Sequence, residues 1–214
     1  MWMSTMLSAV ASHLAARRVI LASQSPRRLE LLRECGIAFD VVPSTFEENL
    51  PKDQFPSPEL YVLENAKQKA HEVMQRAAQP NAPHVVIGCD TVVVHGGQIL
   101  EKPRDEDDAF QMLSKLSGNA HEVYSGVAIF STALGDKPHL FFEKTTVVFG
   151  QLEDQDIKEY IKTGEPMDKA GSYGLQGRAR VFVSEIHGCT NNVIGFPVQR
   201  FGTEMKKLAA EGKL

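Results

Sequence analysis

The chain has 214 residues, a formal net charge of -4 and an apolar fraction of 43%. Such a chain can bury a core of its own, and it is read as one domain over residues 1–214, with an extension at 1–18 and the core at 19–210. The acidic balance argues against a broad surface for nucleic-acid polymers and leaves room for a local anion pocket.

Cys35, Cys89 and Cys189 form no C-x-x-C pair. They read as reduced core residues of a cytoplasmic protein. No apolar run reaches the length of a membrane span, so no membrane partner is expected. No H-E-x-x-H occurs, although His71-Glu72 and His121-Glu122 come close, and no structural zinc site is expected.

Residues 1–18 contain His13, Arg17 and Arg18 and no acid. That composition has something of an organellar transit peptide, but a short amphipathic helix is the preferred reading. Val19–Ala22 reads as a buried strand, and Pro26–Glu34 as a helix stopped at Gly36. Phe39–Val42 is a second strand. Leu60–Ala78 is a long helix with Ser57 as cap and Pro58 in its first turn. Its apolar face runs Val62, Ala66, Ala70, Val73 and Ala77. His84–Cys89 and Thr91–His95 are β-branched runs, and Gly96-Gly97 turns the chain back into Ile99-Leu100.

Asp105–Leu116 is a helix with acids in its first turn and Gly118 past its end. Glu122–Phe130 and Phe141–Phe149 look like an antiparallel pair. Glu153–Lys162 is a helix, Arg180–Ile186 a strand and Pro197–Ala210 the closing helix. The tail Glu211–Leu214 is expected to fray. Hairpins mixed with crossover helices point to an α/β fold with a mixed sheet.

The most informative stretch is Ser23-Gln24-Ser25-Pro26-Arg27-Arg28. A strand ends, Ser25 caps and Pro26 opens a helix, so free N–H groups and a positive dipole end face one point. Arg27 and Arg28 in the first turn oppose that dipole, at a cost of roughly 0.3–1 kcal/mol each. Their placement makes sense if a polyanion lies over the turn, where guanidinium forks hold phosphate oxygens. The plainer alternative points them to solvent or pairs them with an acid such as Glu30. The segment is no P-loop, because it lacks spaced glycines and G-K-[ST].

Ser-x-Ser-Pro-Arg-Arg after an apolar strand resembles the signature of the Maf family. Further matches follow in order: Glu47-Glu48, Ala66–Ala70, Gly88-Cys89-Asp90-Thr91, Glu101-Lys102-Pro103, Gly164–Gly171 and Tyr173–Gly177. The likeness runs from about Val19 to about Phe201. It implies an elongated mixed sheet with flanking helices and a cleft between two lobes. It also implies a divalent metal, Mg²⁺ or Mn²⁺, hydrolysis between the α and β phosphates of a nucleoside triphosphate, and a homodimer. Arg27-Arg28, Asp90-Thr91 and Gln176 resemble the dTTP/UTP branch of that family. Its 7-methylguanosine triphosphate branch has Trp-Arg, Asp-Gln and Glu instead. Two departures stand out: Cys89 replaces an alanine, and Arg178-Ala179-Arg180 replaces a glycine-rich continuation.

On that resemblance the roles divide as follows. Asp90, at the end of an apolar run, activates water directly or through metal, and Glu48 joins it as metal ligand, with Glu47 as decoy. Lys69 and Lys102 clamp phosphates, as do Arg27 and Arg28. Ser23 donates to phosphate. Thr91 and Gln176 read the base, since an amide both donates and accepts. Asp168 and Lys169 either close the cleft or form an internal ion pair. The expected activity is hydrolysis of dTTP, UTP and modified pyrimidine triphosphates to monophosphate and pyrophosphate. Its rivals are a 7-methylguanosine triphosphate pyrophosphatase and a nucleotide-sensing regulator of cell division without turnover.

Overall fold

A computed structural model describes residue 10, residues 13 and 14, residues 17–77 and residues 85–214. Most of the expected extension 1–18, the helix end at Ala78 and the strand start at His84 lie outside the described residues. The strands are β1 (Val19–Leu21), β2 (Asp40–Val41), β3 (Val85–His95), β4 (Gln98–Leu100), β5 (Ala120–Ser131), β6 (His139–Phe149) and β7 (Val183–His187). The helices are α1 (Pro26–Glu34), α2 (Pro58–Arg76), α3 (Glu106–Leu116), α4 (Asp154–Ile161), α5 (Thr190–Ile194) and α6 (Val198–Ala210). The strands form one seven-stranded sheet in the order β2-β1-β3-β5-β6-β7, with β4 on β3. β1 pairs in parallel with β2 and β3, whereas β4 on β3 and β7 on β6 are antiparallel. This is the mixed α/β sheet that hairpins and crossovers together require.

Two compact units are present. The first holds residues 1–90, 125–143 and 195–214, and the second holds residues 91–124 and 144–194. The chain passes from one to the other within β3, β5 and β6.

In the first unit, α2 buries Val62, Ala66, Ala70 and Val73, the stripe expected from its periodicity. Ala66 and Ala70 join a core with Ile20, Val86, Ala128 and Phe130. Each large apolar side chain buried there contributes about 1.5–3 kcal/mol. The small alanines let α2 approach the sheet at Gly88. A Cβ on Gly88 would run into the Ala66 carbonyl and the Ala70 side chain. Ser57 takes the cap position of α2 with no side-chain cap bond, so Pro58 alone marks that start. The tail does not fray: Leu214 is buried, and Ser131 Oγ donates to the Lys213 carbonyl at 2.6 Å.

The second unit packs α3 and α4 through Leu113, Leu116, Ile157 and Ile161, together with Phe149, Tyr173 and Phe182. Asp105 caps α3, its carboxylate accepting from the Asp108 N–H at 2.8 Å. His121 is buried in this core beside Tyr173 and Phe149, with ring centroids at 5.3 and 4.9 Å. Burial, then the charge of His95, lowers its pKa to about 4, so it is neutral at pH 7. The expected strand Arg180–Ile186 is corrected at its start. Arg178–Phe182 is a 3₁₀ helix, because the Arg180 N–H turns back to the Gly177 carbonyl, and β7 begins only at Val183.

Candidate active site

The turn between β1 and α1 is built as its sequence suggests. Ser25 caps α1 by accepting from the Arg28 N–H at 3.5 Å. Ser23 Oγ accepts from the Ser25 N–H at 3.2 Å and from Arg28 Nη1 at 3.1 Å. Arg28 Nε also donates to the Gly195 carbonyl at 3.0 Å. The Arg28 fork is therefore fixed across the turn and is not turned outward to solvent. Arg27 is half-buried beside it, and the first turn of α1 holds no acid that would neutralise the pair.

Asp90 departs from expectation in one respect. It does not end a strand but lies inside β3, which runs unbroken for 11 residues. A buried carboxylate there needs a partner, and α2 supplies one. Lys69 Nζ lies 2.8 Å from Asp90 Oδ1 and 2.7 Å from Glu48 Oε2. Asp90 and Lys69 are both buried, whereas the Glu48 side chain is half-exposed. Burial disfavours the Asp90 carboxylate, yet the charges of Lys69 and then Arg28 outweigh it and hold its pKa below the usual range. Ser23, Arg28, Glu48, Lys69 and Asp90 thus belong to one charge constellation in the first unit.

Gly88, two residues before Asp90, shows why the local sequence is needed. Its missing side chain lets α2 come close enough for Lys69 to meet a carboxylate on β3. Glu72, one turn beyond Lys69, fastens the segment that leads to Glu48. Its carboxylate accepts from Ser44 Oγ, the Thr45 N–H and Thr45 Oγ1, each at 3.0 Å. Arg76 binds the same carboxylate at 2.7 Å and the Pro43 carbonyl at 2.7 Å. The Arg76 hydrogen bond is the leading reason that the Glu72 pKa falls to about 2. Glu72 stands out in the sequence only as part of His71-Glu72, and Gly195 not at all. Only the Glu72–Arg76 pair, at i,i+4, is a local spacing; Ser44 and Thr45 on Glu72, and Arg28 on the Gly195 carbonyl, are brought near by folding.

The other sequence-predicted residues lie in the second unit. Thr91 is half-buried in β3, and Lys102 is exposed next to buried Pro103. The Gly171 N–H donates to the Glu101 carbonyl at 3.0 Å, tying the Glu-Lys-Pro segment to the loop after Lys169. Lys169 Nζ donates to Asp168 Oδ1 and to the Glu165 carbonyl, each at 2.6 Å, so the internal ion pair is present. Gln176 is exposed on a turn closed by the Gly177 N–H donating to the Gly174 carbonyl.

The site's chemistry is that of opposed charges. A buried lysine, a fixed arginine and a helix N-terminus can receive a polyanion. Two carboxylates converging on one cationic point offer hard oxygen donors of the kind Mg²⁺ takes, with substrate phosphates and water completing its shell. Among the described residues no cluster of three or more His, Cys, Asp or Glu forms a metal cage by itself.

The Maf-like protein family model matches residues 18–208. A human protein named probable bifunctional dTTP/UTP pyrophosphatase/methyltransferase protein is 47% identical over 94% of this chain, which spans about a third (34%) of that protein's length. A dTTP/UTP pyrophosphatase of Agathobacter rectalis is 45% identical over 91% of this chain and 98% of its own. One of Clostridium perfringens is 47% identical over 86% of this chain and 93% of its own. With the Ser-x-Ser-Pro-Arg-Arg turn and the Lys69–Asp90 pair in place, the chain belongs to the Maf-like protein family.

Proposed function

We propose that this protein is a nucleoside triphosphate pyrophosphatase acting on dTTP and UTP, and extending to modified pyrimidine triphosphates. The observation that carries the reading is Lys69 Nζ held at 2.7 and 2.8 Å between Glu48 and Asp90, in a chain 45% identical to a dTTP/UTP pyrophosphatase over nearly that protein's whole length. Water attacks the α phosphorus, the bond from that phosphorus to the bridging oxygen breaks, and pyrophosphate leaves. Asp90, whose pKa Lys69 and then Arg28 hold down against burial, accepts the water's proton. Arg27, Arg28, Lys69 and Lys102 balance the phosphates, with Ser23 as a further donor. A divalent ion, Mg²⁺ or Mn²⁺, held by Glu48 and Asp90 would neutralise phosphate charge.

In the second unit, Thr91 and Gln176 contact the base, and Asp168 with Lys169 completes the substrate contacts. We place the enzyme in the cytoplasm as a homodimer. Among the described residues no helix is long and apolar enough to cross a membrane.

The test is pyrophosphate release from dTTP, UTP, 7-methylguanosine triphosphate and other triphosphates with Mg²⁺, comparing the wild type with Asp90→Asn. Turnover of dTTP and UTP that falls by at least about 10³-fold in the variant is expected. Turnover confined to 7-methylguanosine triphosphate would overturn the substrate assignment and keep the chemistry. Binding without turnover of any nucleotide would overturn the enzyme reading.

A further inference from the structure

In the second unit the Glu165 carboxylate fastens a turn. Glu165 Oε1 accepts from Tyr160 Oη–H at 3.0 Å, and Glu165 Oε2 accepts from the Arg178 N–H at 3.0 Å. The Tyr160 hydroxyl in turn accepts from the Gly174 N–H at 3.3 Å. Gly174 and Arg178 flank Leu175-Gln176-Gly177, so one carboxylate and one phenol fasten both ends of the turn that carries Gln176. Gly177 lies flat against the Glu165 carboxylate, and any side chain there would collide with it. Gly174 is closed in the same way by the Lys169 stem. A third tether comes from Arg180, whose Nη2 donates to the Gln176 carbonyl at 3.1 Å.

These bonds hold the backbone of the turn and leave the Gln176 side chain to itself. That amide has no partner among the described residues, and Gln176 is exposed. A turn with free φ and ψ would let the amide sample many directions. This one is held from both sides by groups on α4 and on the 3₁₀ turn Glu165–Asp168. The Tyr160 ring is itself braced by Phe182, with centroids 5.3 Å apart.

We infer that Glu165, with Tyr160 and Arg180, is a positioning residue that aims the Gln176 amide, and so sets the enzyme's preference for one base over another without touching the phosphates. This rests on the reading of Gln176 as the base-contacting residue. Both Glu165 oxygens accept, whereas an amide in its place keeps one acceptor and presents an NH₂ donor to the other donor.

The experiment uses the full-length protein with dTTP and dGTP, which share sugar and triphosphate and differ in the base. kcat and KM are measured for wild type, Glu165→Gln, Tyr160→Phe, Arg180→Ala and Gln176→Ala, together with amide hydrogen exchange at Gly174 and Arg178. Glu165→Gln is expected to lower the dTTP-over-dGTP ratio of kcat/KM about tenfold through the KM for dTTP, with kcat within about twofold. It should also speed exchange at both amides. Tyr160→Phe and Arg180→Ala remove one tether each and should give about threefold. They keep the test alive if Glu165→Gln folds poorly.

A Gln176→Ala enzyme that loses the preference, beside tether variants that keep it, overturns the positioning role alone. A preference unmoved by Gln176→Ala overturns the base contact and the positioning role with it. Absence of wild-type turnover overturns the function from which both start.

Discussion

The two units hold their polar side chains in opposite ways. In the first, Lys69 and Asp90 are buried on α2 and β3, and Lys69 is the leading charge acting on Asp90 while it also meets Glu48. In the second, Gln176 is exposed on a turn, and the nearby carboxylate of Glu165 is committed to backbone and phenol donors. Charges meant to act on a breaking bond are most effective where water is scarce and reorganisation is small. Regular elements provide that rigidity. Under the proposed function Gln176 recognises the base from an open turn whose rigidity is imported through hydrogen bonds.

The largest effect should come from breaking the first arrangement. Lys69→Met leaves Asp90 as a buried carboxylate without its main partner. It should cost about 3–5 kcal/mol of stability in urea unfolding and about 10²–10³-fold in dTTP hydrolysis. Adding Asp90→Asn should recover most of the stability and none of the activity. A single variant as stable as wild type would mean that the pair is better solvated than its burial indicates.

The second unit has its own buried titratable group. The His121 pKa of about 4, depressed by burial and then by His95, lies well below the ordinary value near 6.5. The unfolded chain therefore takes up a proton between these values that the folded chain refuses. Stability is full above about pH 6.5 and falls as pH drops towards about 4, by on the order of 3 kcal/mol in all. Urea unfolding of wild type and His121→Gln across that window should show the slope in the first and a flatter one in the second. Equal slopes would sink the assignment. The Asp90 carboxylate, whose pKa is lowered on folding, also loses stability as pH falls.

Gly88→Ala tests how the first unit brings its charges together. The added methyl meets the Ala66 carbonyl and the Ala70 side chain, so α2 must retreat. About 1–3 kcal/mol of stability should be lost, together with turnover, because Lys69 moves with the helix. Turnover that survives would show that the Lys69–Asp90 contact tolerates displacement of α2.

Much of the first unit is legible in the amino-acid sequence. Ser25, Pro26 and the absence of an acid in the next turn are local signals, and they mark the start of α1. The stripe Val62, Ala66, Ala70, Val73 marks the buried face of α2, and Lys69 lies beside that stripe, which places it inward. Asp90 reads as a strand end because a lone acid interrupts the apolar pattern. β3 continues through it only because a lysine 21 residues earlier satisfies it. The second unit is less legible. Glu165 and Tyr160 act on the N–H groups of Arg178 and Gly174, and backbone donors have no sequence identity to read. The strand expected from Arg180 begins three residues later because Gly177 and Glu165 first wind the chain into a 3₁₀ turn.

The smallest effect sharpens the comparison at Asp168. Its carboxylate is 62% exposed and pairs with Lys169, which is 14% exposed and keeps a second bond to the Glu165 carbonyl. An exposed ion pair whose lysine is already anchored contributes little to stability, so Asp168→Ala should shift unfolding by no more than about 0.5 kcal/mol. If Asp168 also contacts substrate, the KM for dTTP should rise about threefold while kcat holds, since only binding common to ground and transition states is lost. An unchanged KM with a lower unfolding midpoint would assign Asp168 to ordering its own loop.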